Sequence, residues 1–223
     1  MTANRCSRRG RPTASPDICR DVRRSAYDVH MPERAVWTVG HSNHDLDGFC
    51  ALLKTERIEF VIDVRSYPYS RFAPQFDREE LAVAMRARGT GYLFLGEALG
   101  GRPEAGDEYD ADGHALYGPM AERSAFQAAI ERVLNGAARY RLALMCSEGD
   151  PTDCHRRLLI GRVLTARGVE LRHILADGRI KAELEVSLPG EGGAQSSLLP
   201  EEVPWRSTRS VSHRARLSAS SAA

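Results

Sequence analysis

The chain lacks several things that would make its role easy to read. Its 31 basic and 30 acidic residues nearly cancel, leaving a net charge of +1. Composition therefore supplies no general electrostatic argument for binding nucleic acid or a membrane surface. Five cysteines stand at irregular intervals, an odd number that reads as reduced thiols in a cytoplasmic compartment rather than as a disulfide framework. No apolar run approaches the length of a membrane span, and the N-terminus lacks the apolar centre of a secretory signal. Internal repeats are absent. No G-x-G-x-x-G follows a strand, so no dinucleotide cofactor is expected.

What is present is a globular composition, 42% hydrophobic and 27% charged over 223 residues, which suits one domain with tails. Residues 1–33 are rich in arginine and without periodicity. They read as a disordered arm or an over-extended start, with Met31 as the alternative first residue. From residue 187 the chain turns Gly/Ser/Pro-rich and is expected to be disordered to residue 223. The domain is expected over residues 34–186.

Within it, apolar runs at Ala35–Val39, Phe60–Val64, Tyr92–Leu95, Leu142–Met145 and Leu171–Leu175 predict five strands. Helical spacing predicts helices from about His44 to Arg57, from Asp77 to Gly89, and from Ser124 to Ala138. Ser42 or Asn43 is expected to cap the first helix, and Asp77 with Glu80 to form a capping box on the second. Alternation of strand and helix argues for a three-layer α/β domain with a five-stranded, mostly parallel sheet. The order expected is 3-2-1-4-5, which sets the first and fourth strands side by side.

The stretch from Leu142 to Gly168 organises the rest. A buried strand breaks into Cys146-Ser-Glu-Gly-Asp-Pro and restarts as a helix capped by Thr152 or Asp153 and closed by Gly168. At 100° per residue, Leu159, Ile160 and Val163 face the core. His155 and Arg156 lean toward the sheet top, while Cys154 and Arg157 project away. Ligands of open α/β sheets bind beyond the carboxyl ends of strands, where the strand order switches. There Gly40-His41-Ser42 meets Cys146-Ser147-Glu148. The candidate catalytic residues are His41, Cys146, Glu148 and His155. The candidate ligand-binding residues are Ser42, Asp63, Arg65, Arg71, Glu97, Arg102, Cys154 and Arg156. A structural alternative makes Asp63 and Arg65 a buried ion pair tying loops together, with His155 bonding a carbonyl. Metal is not assigned, because Cys-x7-Cys-His lacks the usual short ligand pairs.

From Val36 to Ile180 the chain resembles the domain-of-unknown-function family 488. The resemblance rests on Gly40-His41-Ser42, Asp63-Val64-Arg65-Ser66, Tyr69-Ser70-Arg71-Phe72 with Pro74-Gln75-Phe76, Leu95-Gly96-Glu97, Leu99-Gly100-Gly101-Arg102, Met145-Cys146-Ser147-Glu148 and Cys154-His155-Arg156. It implies a Rossmann-like α/β fold and no established reaction. Relatives often carry a histidine soon after the last strand's Asp-Gly. Here Asp177-Gly178 is followed by Arg179-Ile180-Lys181.

The leading expectation is a hydrolase or transferase acting on a small anionic molecule, phosphate- or nucleotide-containing. Arg65, Arg71 and Arg156 would clamp the anion, and His41 and Glu148 would move protons. A cysteine-dependent, sulfurtransferase-like enzyme is the first alternative. Asp63-Val64-Arg65 resembles rhodanese-like chains in this respect, but Thr152 stands where a Cys-x5-Arg loop would need arginine. A non-catalytic nucleic-acid or ligand-binding module is the second, with the arginines and one aromatic of 205–216 as its carrier. The oligomeric state is left open.

Overall fold

Val36, Trp37, Thr38 and Val39 are all buried, the mark of a strand covered on both faces. This strand, Ala35–Gly40 (β1), opens the domain seen in a computed structural model that describes residues 34–104, 108–186 and 205–212. The expectations for 1–33, 187–204 and 213–223 lie outside the described residues. Alternate side chains of β1 go to opposite layers. Val36 joins the cluster under one set of helices, and Trp37 and Val39 the cluster under the other.

The remaining strands are Phe60–Asp63 (β2), Gly91–Phe94 (β3), Leu142–Cys146 (β4), Glu170–Ile174 (β5) and Ile180–Ala182 (β6). Helices Leu46–Thr55 (α1) and Arg78–Ala87 (α2) cover one face through Phe49, Leu53, Leu81 and Met85. A short turn of helix, Gly96–Leu99 (α3), together with Tyr117–Glu122 (α4), Ser124–Ala137 (α5) and Arg162–Ala166 (α6), covers the other. In α5, Phe126, Ile130, Val133 and Leu134 fall on the buried stripe that their spacing predicts. The result is the expected three-layer, Rossmann-like α/β arrangement.

The strand order is β3-β2-β4-β1-β5-β6, not 3-2-1-4-5, and a sixth strand is present. β4 sits between β2 and β1 rather than outside β1. Its start is tied to that of β2, where Glu59 N–H donates to Arg141 O at 2.8 Å and Glu59 Oε2 accepts from Arg141 N–H at 2.8 Å. β1 and β4 are both apolar on both faces, so hydrophobic pattern alone does not say which side of β1 the fourth strand takes. β6 pairs antiparallel with β5 after the Asp177-Gly178 turn. The other pairings are parallel.

Two caps differ from expectation. Asp45, not Ser42 or Asn43, caps α1 by accepting from Gly48 N–H at 2.7 Å. Asp77 precedes α2 but turns its carboxylate to Ser70 N–H at 2.8 Å, tying down the loop after β2 instead of capping the helix. Part of the C-terminal tail is also docked. Trp205 donates its indole N–H to Leu158 O at 2.7 Å and meets Tyr117 edge-on, and Ser207 N–H bonds Ala115 O. Among the described residues, no helix is long and apolar enough to cross a membrane.

Candidate functional site

β1 and β4 run parallel with Gly40 opposite Cys146, and the pairing continues past the strand ends. His41 N–H donates to Cys146 O and Ser42 N–H to Ser147 O, both at 2.9 Å. The two loops can lie this close because position 40 has no side chain. A Cβ there would stand 1.8 Å from Glu148 O. Ser42 holds a positive φ of 46°, a conformation non-glycine residues adopt at a cost of order 1–3 kcal/mol and typically near functional sites.

A cleft of about 560 Å³ opens over this junction. His41, Ser42 and Asn43 line it from β1, and Ser147, Glu148 and Gly149 from β4; Ser70, Phe72 and Gln75 form its far wall. A second cleft of about 530 Å³ shares Ser42 and Gly149 with it and carries Arg179 and Lys181. Glu148 is exposed and is the carboxylate on the first cleft's lining.

Sequence reasoning aimed three arginines at an anion here, and two are occupied otherwise. Arg65 is buried and gripped by Asp63, with Nε–Oδ1 at 2.9 Å and Nη2–Oδ2 at 2.6 Å, and Nη2 also donates to Phe76 O. This is the loop-tying ion pair of the structural alternative. Tyr92 O–H donates to the same Asp63 carboxylate at 2.8 Å. Arg65 Nη1 lies 3.4 Å from His41 Nε2, while His41 Nδ1 reaches Ser42 O at 3.0 Å. Burial first, then the Arg65 guanidinium, pull His41 below the ordinary histidine range. It is therefore a neutral ring, stacked on Phe76 with centroids 4.3 Å apart and bonded at both nitrogens.

Arg156 is fully buried. Its Nη1 donates to Glu148 O at 2.5 Å, its Nη2 to Gly149 O at 2.9 Å, and its Nε approaches Thr38 Oγ1 at 3.4 Å. Helical geometry leans it toward the sheet top as expected, and the partners it meets there are carbonyls rather than a carboxylate. They belong to the backbone of the cleft loop. Thr38 in turn meets His173 Nδ1 at 2.8 Å, and His173 Nε2 meets Glu183 at 2.8 Å. Glu183 also accepts from Arg157 Nε at 2.8 Å.

Of the remaining candidates, Arg71 is exposed and does not itself line the first cleft; it stands between the lining residues Ser70 and Phe72, its guanidinium 4.6 Å above the Phe72 ring. Glu97 is exposed on α3, and Arg102 is half-buried with its backbone N–H on Ser66 Oγ; neither lines the first cleft.

Cys146, Cys154 and His155 converge beside the junction. Cys146 Sγ lies 3.8 Å and Cys154 Sγ 3.9 Å from His155 Nδ1, and all three atoms fall within 4.8 Å of one another. His155 Nε2 is 2.9 Å from Val64 O. A carbonyl only accepts, so Nε2 carries a proton, and Nδ1 is the ring nitrogen turned toward the sulfurs. The Cys154 hydrogen bond, against the effect of burial and with His155 and Arg156 helping, holds the Cys146 thiol well below its usual range. Burial and that same bond push Cys154 up. Burial alone would lower His155, but the adjacent Cys146 sulfur raises it.

Cys154 and Arg157 do not project away from the core as expected; both are buried. Neither Thr152 nor Asp153 caps the helix. Its first turn is π-helical over Arg156–Gly161, with i→i+5 bonding, so the 100° wheel slips by one position. His155 also packs against Gly101, where a Cβ would come within 2.5 Å of the imidazole. The π-turn and the Thr38–His173–Glu183–Arg157 chain had no signal in the sequence. Of the tail's arginines, the two within the described residues are engaged too, Arg206 with Asp110 and Arg209 with Asp153.

The family model for the domain of unknown function DUF488 matches residues 45–163. No curated protein and no solved structure matches the chain.

Proposed function

The chain belongs to the family of the domain of unknown function DUF488, and for this member we propose a small-molecule enzyme, a hydrolase or transferase, whose ligand sits where the loops after β1 and β4 meet. The observation that carries this reading is the cleft of about 560 Å³ at that junction, with the Glu148 carboxylate on its lining. In open α/β sheets this edge is the place where ligands are held.

Glu148 is the proton-transfer group in this reading, because it is an accessible carboxylate with no need to break a buried bond before acting. His41 orients the cleft wall instead of moving a proton, since Arg65 and Ser42 O occupy its two nitrogens. The side chains of Ser42, Asn43, Ser70, Gln75 and Ser147 supply hydrogen bonds to a polar ligand. An anionic group on that ligand meets Arg71 at the rim or Arg179 and Lys181 across the shared Ser42–Gly149 edge. Arg156 acts indirectly, by holding the carbonyls of Glu148 and Gly149. Free thiols at Cys50, Cys146 and Cys154 fit a reducing, cytoplasmic compartment.

The test is a screen of the purified chain against chromogenic phosphate, carboxylic and thioester substrates. Turnover is expected to fall by about 10²–10⁴-fold in Glu148→Gln, and Ser147→Trp, which fills the cleft, is expected to raise KM. Turnover indifferent to both substitutions overturns the assignment of the cleft.

A further inference from the structure

We propose that Cys146, Cys154 and His155 form a binding site for one zinc ion, with a fourth coordination position left for water or a ligand. The inference goes beyond the proposed activity and stands on the three ligand atoms alone.

A tetrahedral ion with Zn–S near 2.3 Å and Zn–N near 2.0 Å requires a sulfur–nitrogen separation of about 3.5 Å and a sulfur–sulfur separation of about 3.8 Å. The sulfur–nitrogen separations here are 3.8 and 3.9 Å, and no pair among the three exceeds 4.8 Å. The two sulfur–nitrogen sides close on an ion with shifts of a few tenths of an ångström, and the sulfur–sulfur side is within 4.8 Å. Its chemistry is selective as well as its size. Two sulfurs and an imidazole suit zinc, whereas magnesium and calcium take oxygen.

The support behind the ligands has the form that metal sites use. A ligating histidine normally donates its other ring N–H to a carbonyl or carboxylate, which fixes its orientation and tautomer. His155 Nε2 does this to Val64 O at 2.9 Å, which turns Nδ1 toward the sulfurs. Gly101 packs on the imidazole where any side chain would displace it. Binding leaves both sulfurs as thiolates and Nδ1 without a proton, and the protons these atoms give up pass to solvent. The Arg156 guanidinium and the protein dipoles then face a neutral zinc dithiolate instead of a lone thiolate.

Burial also separates this reading from a free thiol nucleophile. Cys154 is 0% and Cys146 4% exposed, so an organic substrate has little access to either sulfur, whereas an ion is small enough to sit between them. The other convergent group, Asp110, Asp112 and His114, is unlike it, because Arg206 already neutralises Asp110.

The test is metal binding by the full-length protein, read without any turnover assay so that its failure is distinct from failure of the proposed activity. Chelator-treated protein is titrated with Zn²⁺ against a chromogenic competitor and, separately, with Co²⁺. The expected result is one ion per chain, with a thiolate-to-cobalt charge-transfer band and the intense visible bands of a tetrahedral site. Cys6→Ser/Cys19→Ser should keep that stoichiometry. Cys146→Ser and Cys154→Ser, checked for folding by circular dichroism, should each weaken zinc binding by about a hundredfold or more. Absence of the charge-transfer band in the unsubstituted protein overturns the proposal whether or not the variants fold. So does zinc binding that survives in Cys146→Ser/Cys154→Ser.

Discussion

Replacing Arg156 with methionine separates two roles an arginine can have at this sheet edge. The side chain is fully buried and donates to Glu148 O and Gly149 O. Methionine keeps most of the stem and removes the charge and the donors. Hydrogen bonds to a charged group contribute about 1.5–3 kcal/mol each, so two lost bonds amount to roughly 3–6 kcal/mol. Relief of the guanidinium's desolvation offsets part of this, since burying an ion costs several kcal/mol before its partners are counted. The net expectation is a loss of about 3 kcal/mol. For a domain of this size that corresponds to a fall in Tm of about 6–12 °C. The same substitution should accelerate amide exchange across 147–149 ahead of the sheet, because the loop loses its anchor. Arg156→Lys should recover only part of the loss, as a single ammonium cannot span two carbonyls. Thermal melts and hydrogen exchange check this without any ligand. An Arg156→Met protein melting within about 2 °C of the parent, with unchanged exchange at the loop, would refute the clamp and return Arg156 to the ligand.

Arg65→Ala should destabilise more than its small contact surface suggests, by about 3–5 kcal/mol, because Asp63 would keep a buried charge with only the Tyr92 O–H and the residue-65 backbone N–H to meet it. Asp63→Asn combined with Arg65→Met should cost less than the sum of the single changes in denaturant unfolding; additive losses would show that the pair is not coupled. The docked tail should come loose only in strong acid. Burial raises Asp110, but bonds from His114 N–H, Arg206 and the His114 ring outweigh it and bring the carboxyl to about 2. A depressed carboxyl contributes stability that is present above its unfolded value near 4 and is lost as pH falls toward about 2. Arg206→Ala should move Asp110 upward in an NMR titration, and an unmoved carboxyl would mean that the pair does not form in solution.

The elements of the fold were legible because each is written locally. The stripe of α5 and the twice-buried strands need no knowledge of partners, and they appear nearly where the periodicity puts them. What is decided between elements was not legible. The position of β4 depends on Glu59 meeting Arg141, residues 82 apart in the chain. The junction of β1 and β4 survived that error because the two strands are neighbours in the expected order and in the observed one. The arginines show why the site's chemistry was harder to read than its place. An electrostatic argument from sequence counts side-chain charges and so offered Arg156 a carboxylate or a ligand. The partner it found is a main chain admitted by Gly40, and nothing in the string of residue types marks a carbonyl as an anchor. The thiols carry the same lesson from the other side. Ligand-spacing rules describe pairs held on one short turn. In Cys-x7-Cys-His the first sulfur ends a strand and the other two groups stand where the chain re-enters the helix, so seven intervening residues close a triangle that no local rule contains. Spacing excludes a metal only when the chain between the ligands is one element, and here it is the loop between two.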